Sequence, residues 1–387
     1  MTENQVRLTI GALLHDVGKV IYRTGDGRNH SASGKDYLEN EVGIKDNLIL
    51  ESIAYHHESN LKNAKIADDS YAYITYYADN IAASADRREK AEGEGGFDKK
   101  VPLASVFNIL NGNSQNYHYS RQILDIENGI NYPTEERVDL QEDFYKKIRQ
   151  NLTDCLKQIN YTEEYLNSLL AVLESNLSYI PSSTSKKEME DISLYDHMKI
   201  TAALAQCIEH YLVENQIKNY REKLMMKTEK LYDEKMFVLY SMDISGIQKF
   251  IYTINSEGAL RSLRARSFYL EIMMEHIIDE LLEQLSLSRA NLIYSGGGHC
   301  YLLVPNTVQS KKIIQRKEEE TNQWLLDTYG IALYVAGGYA ECSANDLKNN
   351  PTGSYSELYR KVSRMISEKK SHRYGKKELI ALNTQKT

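Results

Sequence analysis

Cysteine, tryptophan, phenylalanine and an excess of basic charge are all missing or scarce in this 387-residue chain. Its four cysteines, Cys155, Cys207, Cys300 and Cys342, stand far apart with no CxxC pair, which excludes a disulfide scaffold and a cysteine-held structural zinc. No stretch approaches the roughly 20 apolar residues needed to cross a bilayer. The opening MTENQVRLTIGALLHD has neither the basic start nor the apolar core of a secretory leader, so the expectation is a cytoplasmic protein with no membrane partner. With 47 basic against 54 acidic residues the formal charge is -7, which excludes a generally basic nucleic-acid coat but not a local binding groove. What is abundant is tyrosine, 29 residues beside 6 Phe and 1 Trp, apolar area with a polar tip that suits half-exposed seams or a subunit interface.

The length suffices for two to three domains with real cores. Apolar positions Ile10, Leu13, Leu14, Val17 and Ile21 predict one helix over residues 4–22, and further helices are expected near 46–58, 70–88, 141–176 and 193–212. The Gly- and Asn-rich stretches 92–102 and 111–119 read as connectors, and 181–193 as a polar break. The first 220 residues are therefore essentially all-α. The character changes near 236: strand 236–243, a helix from Gly246, a long helix 259–285, a glycine-joined strand pair 290–305, a helix 307–328, a strand 331–340 and a helix 354–370. That is the order β-α-β-β-α-β, an antiparallel sheet with helices on one face.

A histidine and an acid, His15 and Asp16, interrupt the apolar run LLHDVGKV (13–20). Buried without partners, such a dyad costs several kcal/mol, of order 2–7. His15 and Lys19 share a helical face, and Gly18, expensive inside a helix, calls for a close approach by another backbone or a ligand. Two further polar signals stand in helical context: the tandem His56-His57 in ESIAYHHES, and Asp79 in YYADNIAASADRR, with only Ala82 and Ala83 over its face. Imidazoles and carboxylates drawn from separate helices are what a divalent cation needs, and the cation offsets their desolvation. Such an ion acidifies water and neutralises phosphate charge, the chemistry of phosphodiester hydrolysis, while Lys19 could reach a phosphate oxygen. Each piece also has an ordinary reading: a His–Asp salt link, a core histidine, a capping or solvated acid.

These motifs resemble the HD phosphohydrolase superfamily. The resemblance implies that His15, Asp16 and Asp79 sit in the shell of one or two metals (Mn, Ni, Co or Mg), with an additional histidine before or after the dyad. One of His56 and His57 takes that place, His56 favoured. His30 in RNHSASG resembles a small histidine motif of one branch, either another ligand or a substrate contact.

In the second half, YSMDISGIQKFIYT (240–253) ends a strand at Asp243 and opens a helix near Gly246, whose exposed N–H groups could seat a phosphate. Asp243 could hold Mg²⁺, yet the hairpin turn Ser295-Gly296-Gly297-Gly298-His299 offers no second carboxylate, although its glycines allow close approach to a nucleotide. The ordinary alternatives are an N-cap at Asp243 and a tight hairpin. Arg261, Arg264 and Arg266 in ALRSLRARS suit a triphosphate or RNA backbone better than solvent.

Taken together, LLHDVGKV, SLYDHMKITAALA, DISGIQKFIY, GALRSLRARSFYLE and SGGGHCYLLVP resemble the large subunit of type III CRISPR effector complexes, subtype A, along the whole chain. The fold class so implied is multidomain α and α+β: an all-α HD domain (1–110), a helical region packing with it (111–232), and a ferredoxin-like palm, βαββαβ, without the acidic hairpin (233–387). Family members are longer, with a zinc-bearing helical domain, a second palm carrying Gly-Gly-Asp-Asp and a C-terminal helical domain, so this chain resembles their N-terminal portion. The resemblance implies a metal-dependent nuclease for single-stranded DNA, acting with other effector subunits, CRISPR RNA and target RNA. It further implies paired palms that join ATP, with Mg, into cyclic oligoadenylates. This palm would contribute one ATP seat around residues 258–270, Asp243, Ser245, Gly246, Gln248 and Ser295–Gly298. Two other readings remain: an HD nucleotide phosphohydrolase, and a non-catalytic scaffold and nucleotide-binding half.

Overall fold

The computed structural model describes all residues except 87, 89, 91–94, 128, 227, 229, 253–258 and 385–387. The chain divides into two compact units, Met1–Leu231 and Tyr232–Thr387. The first is helical: α1 (Glu3–Leu14), α2 (Gly18–Tyr22), α3 (His30–Asp36), α4 (Asn47–Ala54), α5 (Glu58–Leu61), α6 (Tyr71–Asp86), α7 (Glu142–Leu156), α8 (Leu166–Leu177) and α9 (Leu194–Glu214). A capping box starts α1, with the Thr2 hydroxyl accepting from the Gln5 N–H while the Gln5 side chain returns the bond. Ser193 caps α9 in the same way as a single acceptor, through the Asp196 N–H. Helices α1, α4, α6 and α9 pack together around a core that includes Leu8, Leu13, Ile53, Ile74 and Leu204.

The single helix expected over 4–22 is broken: α1 ends at Leu14, His15 to Val17 form a turn, and α2 starts at Gly18. The reason is steric. A Cβ on Gly18 would stand 1.8 Å from the carbonyl oxygen of His30 and 2.8 Å from the nitrogen of Gly34, so the α2 backbone lies directly on α3. The anticipated close approach is thus by the chain's own backbone. The helix expected over 141–176 also splits, between α7 and α8, where the Tyr161 hydroxyl donates to the Leu156 carbonyl at 2.9 Å and closes off α7. Tyrosine fills core as well as seams: Tyr37, Tyr73, Tyr77 and Tyr145 are fully buried, with Tyr37 hydroxyl against Thr153 Oγ1 at 2.9 Å. No helix of the described residues is long and apolar enough to cross a membrane.

The second unit runs β1 (Phe237–Ser245), α10 (Ile247–Tyr252), α11 (Ala259–Gln284), β2 (Leu292–Gly296), β3 (His299–Pro305), α12 (Val308–Tyr329), β4 (Tyr334–Cys342), α13 (Ala344–Leu347), α14 (Ser354–Ser371) and α15 (Lys376–Thr384). The sheet order is β2-β3-β1-β4, every neighbouring pair antiparallel. Val238, Tyr240, Met242 and Ile244 alternate along β1 onto one face, where they join Met274, Ile278 and Leu281 of α11. Helices on one face only were expected; the structure covers both. Gly337 of β4 abuts Glu318 of α12, whereas the next residue, Gly338, abuts the Val362 carbonyl of α14, where a Cβ would stand 2.6 Å away. Successive residues of a strand face opposite ways, so α12 and α14 lie on opposite faces. Helix α15 carries no apolar period strong enough to announce it.

Candidate metal centre

The break at 15–17 places His15 and Asp16 where α1, α4, α6 and α9 converge, and both are buried. His15 donates its Nδ1–H to the Ala12 carbonyl at 2.8 Å, and His56, at the end of α4, does the same to Ile53 at 2.8 Å. Each bond selects one tautomer and leaves Nε2 as a lone pair aimed inward, the arrangement a metal-ligating histidine needs. His197 on α9 directs Nδ1 at Asp86 Oδ2, 2.8 Å away, and Nε2 at Asp79 Oδ1 and Asp16 Oδ2, 3.1 and 3.3 Å away. His15 Nε2 lies 3.5 Å from Asp16 Oδ2 and 3.6 Å from Asp79 Oδ1. Four ligands about 2.1 Å from an ion stand about 3.4 Å apart in a tetrahedron, so the 3.1–3.6 Å separations fit one.

A second group adjoins the first through the same carboxylate. Asp16 Oδ1 faces His30 Nε2 at 3.4 Å and His56 Nε2 at 3.6 Å, while His30 Nε2 lies 3.4 Å from His56 Nε2 and 2.6 Å from His57 Nε2. In each group, His15, Asp16, Asp79, His197 and His30, His56, His57, the ligand atoms lie within 4.8 Å of one another. Buried His15 Nε2, Asp16 Oδ1 and His197 Nε2 find no hydrogen bond, a costly state that a cation relieves. Donor set, spacing and these orphaned atoms all fit a divalent ion.

The electrostatics agree. Burial alone would raise the carboxyls of Asp16 and Asp79, but Lys19 and His15 beside Asp16, and His15 and His197 beside Asp79, hold both well below their ordinary value. His197 is pushed well above its ordinary value: burial opposes this, and the surrounding carboxylates of Asp16, Asp79 and Asp86 prevail. Burial drives His56 far down and His30 down to about 4, so both rings are neutral and their lone pairs are available at neutral pH.

Lys19, expected to reach a phosphate oxygen, is held elsewhere: its ammonium sits 2.5 Å from Asp16 Oδ2 and donates to the Ser182 carbonyl at 2.9 Å. Reasoning from the residues alone missed His197, although it stands in the quoted run SLYDHMKITAALA. The available signal was a histidine and an acid one turn inside a helix whose following face is small and apolar. Asp86 is the matching orienting carboxylate. Asp86→Ala removes the partner of the His197 Nδ1–H, and the expected result is a loss of about 10–100-fold in divalent-ion affinity, read by titration calorimetry.

In the second unit Asp243 lies within β1, two residues before its end, so it is not a helix N-cap. Its Oδ1 pairs with Lys370 of α14 at 2.6 Å, and its Oδ2 accepts from His299 Nδ1 at 3.2 Å. Asp243, expected to hold Mg²⁺, is thus paired with an ammonium in this structure. Ser245 accepts from the Arg373 guanidinium at 2.7 Å, Ser295 donates to Glu275 at 2.7 Å, and Gln248 is exposed. At Gly246 the chain itself lies close on the side-chain direction: a Cβ there would stand 1.9 Å from the Ala332 carbonyl oxygen. Gly297 and Gly298 have φ +62° and +79° and form the two-residue hairpin turn; Gly298 abuts Ile247, Gly296 abuts Tyr294, and Gly297 alone of the three faces open space. Arg261 and Arg264 are exposed, Arg266 donates to the Phe250 carbonyl at 2.6 Å, and residue 258 lies outside the described residues. Among the described residues, no hydrogen bond or ion pair joins Arg261 or Arg264 to Asp243 or the hairpin.

Burial raises the Asp243 carboxyl, but His299 and Lys370 outweigh it and hold it below the ordinary value. Stability from this pair is present above the ordinary carboxyl range and is lost as pH falls through the depressed value. Both side chains are about a third exposed, so Lys370→Ala is expected to cost only about 1 kcal/mol at pH 7, and nothing at a pH where Asp243 is protonated. Thermal melts of both proteins at the two pH values check this.

Residues 1–84 match the family described as HD domain, and residues 236–385 match Csm1 subunit domain B. Curated relatives carry the name CRISPR system single-strand-specific deoxyribonuclease Cas10/Csm1, subtype III-A. The one from Enterococcus italicus is 43% identical, covering 98% of this chain and 52% of its own length. The one from Mycobacterium tuberculosis is 41% identical, covering 100% of this chain and 52% of its own length. Among solved structures, the apo Csm1–Csm4 cassette superposes with a TM-score of 0.76 at 26% identity over 97% of this chain and 49% of the other. Csm1 from T. onnurineus gives 0.75 at 27% identity over 95% and 50%. An HD domain, followed by an α+β domain of the Csm1 B class, defines the kind of protein this is. The chain belongs to the Cas10/Csm1 family of subtype III-A large subunits, and it spans about half the length of the curated relatives it matches.

Proposed function

We propose that the His/Asp centre is a metal-dependent nuclease for single-stranded DNA within a type III-A CRISPR effector complex. The observation that carries this reading is the convergence of His15, Asp16, Asp79 and His197 with three buried, unbonded ligand atoms. His15, Asp16, Asp79 and His197 would hold one ion, and His30, His56 and His57, with Asp16 between the groups, a second. When bound, a divalent ion supplies neutralising charge for a phosphodiester and acidifies water. The chain's own residues do the rest. Asp86 fixes the His197 ring, the Ala12 and Ile53 carbonyls fix the tautomers of His15 and His56, and Lys19 anchors Asp16. The centre draws on α9, so the HD domain and the helical region after residue 110 act as one body in this reading.

The second unit is proposed as a ferredoxin-like palm contributing part of an ATP site for cyclic oligoadenylate synthesis in the longer protein. The support is its strand order and the solved Csm1–Csm4 cassettes described with AMPPNP and with cA4. Csm4-type subunits, CRISPR RNA and target RNA are the proposed partners. The test is cleavage of single-stranded DNA with Mn²⁺ or Ni²⁺ by this chain and by His15→Ala. Cutting that disappears in the variant supports the nuclease; hydrolysis of mononucleotides alone would favour a nucleotide phosphohydrolase; nucleotide binding without hydrolysis would favour a scaffold.

A further inference from the structure

Two segments far apart in sequence pair beside the His/Asp centre. Phe97 and Ser185 form an antiparallel bridge, the Asp98 N–H donates to the Thr184 carbonyl at 2.8 Å, and the Lys186 N–H donates to the Gly96 carbonyl at 3.0 Å. This strap is rooted at the centre. Lys19, paired with Asp16, holds the Ser182 carbonyl; Arg88, two residues past Asp86, pairs with Asp191. At its other end Lys99 stands 3.5 Å above the ring of Tyr22, three residues along α2 from Lys19, a rise of about 4.5 Å.

The strap's acids are engaged: Glu188 accepts from Ser183, Glu190 pairs with Lys90, Asp191 with Arg88 and Asp98 with Arg137. Apart from Lys90, its lysines meet no acid among the described residues, although Lys99 lies over the Tyr22 ring. Lys99, Lys100, Lys186 and Lys187 are exposed, and among the described residues none makes an ion pair. Glu89, Glu92 and Glu94, outside the described residues, precede Gly95-Gly96 in the sequence. Between the lysines Phe97 is 74% exposed, a large apolar ring on a backbone-paired support. Unpaired cations interleaved with an exposed aromatic ring are what a single strand needs, charge for its phosphates and a face on which a base stacks. On a chain of net charge -7 such a cluster is a local exception.

We propose that this strap is a binding surface for single-stranded nucleic acid that leads the strand to the His/Asp centre, with Phe97 as the stacking ring and Lys99, Lys100, Lys186 and Lys187 on the phosphates. It rests on the nuclease reading for its purpose, but its binding can be read without any cleavage. The experiment is fluorescence anisotropy of labelled oligothymidylate with the full 387-residue chain in chelator, across a salt series. The double variant Lys186→Gln, Lys187→Gln is expected to bind at least about ten-fold more weakly, and its log–log salt slope to shrink by about 1.4, the share of two phosphate contacts. Phe97→Ala is expected to lose about ten-fold with the slope unchanged, and Phe97→Trp to recover it. Affinity indifferent to these changes overturns the proposal, as does a Phe97→Ala loss that Trp does not recover. A chain that binds through the strap yet cuts no DNA with any divalent ion retires the nuclease reading and leaves this one standing.

Discussion

Asp16→Ala is expected to abolish divalent-ion binding at both histidine groups, and with it hydrolysis of single-stranded DNA, by about a thousand-fold or more. The size follows from position. Asp16 Oδ2 faces His15 and His197, while Oδ1 faces His30 and His56, so one carboxylate belongs to both groups. Removing it leaves three ligands in each group, and at the first it also removes one of only two negative charges. A Lewis acid on a phosphoryl group supplies several kcal/mol of stabilisation, and about 4 kcal/mol is a factor of about a thousand. His57→Ala is the contrast: it touches only the second group, through His30 at 2.6 Å. Ion content by elemental analysis should therefore fall to nearly nothing for Asp16→Ala and by at most half for His57→Ala. Equal losses in the two variants would show that Asp16 does not join the groups. The Asp16 variant also frees Lys19, which keeps the Ser182 carbonyl, so circular dichroism of both proteins accompanies the measurement.

How far these features could be read from the residues differs by kind. The dyad His15–Asp16, the tandem His56-His57 and Asp79 were legible because each is a polar residue in an otherwise apolar helical pattern, and burial there demands compensation. The succession of strands and helices in the second unit was legible because short apolar runs alternate with long amphipathic stretches and glycines mark the turn between β2 and β3. His197 was not, since a ligand 181 residues from Asp16 enters only through the packing of α9 on α1 and α6. The partners of Asp243, Ser245 and Gly246 were hidden for a related reason: Lys370, Arg373 and Ala332, which meet them, come from later elements. A glycine or an acid announces that something approaches it closely; tertiary structure decides whether that is a ligand or the chain.

Gly18→Ala carries the second large effect, and it acts on the fold and on the site at once. A methyl group at this position meets the His30 carbonyl oxygen at 1.8 Å and the Gly34 nitrogen at 2.8 Å, both backbone atoms of α3. No rotamer relieves that contact, so α2 and α3 must part by more than an ångström, and Gly34, whose own Cβ would sit 3.1 Å from Gly18, cannot yield in turn. Overpacking of this sort costs about 3 kcal/mol, partly offset by the better helical propensity of alanine, under 1 kcal/mol. For a unit of 231 residues the net cost of about 2–3 kcal/mol lowers the melting temperature by about 4–12 °C. The same displacement separates His30, the first residue of α3, from Asp16, two residues before α2, and so opens the 3.4 Å gap on which the second histidine group depends. The variant should thus retain ion binding at His15, Asp79 and His197 while losing it at His30, His56 and His57, a biphasic calorimetric titration becoming monophasic. A melting temperature within 2 °C of the parent, or two ions still bound, would refute the backbone contact as the cause of the break after His15.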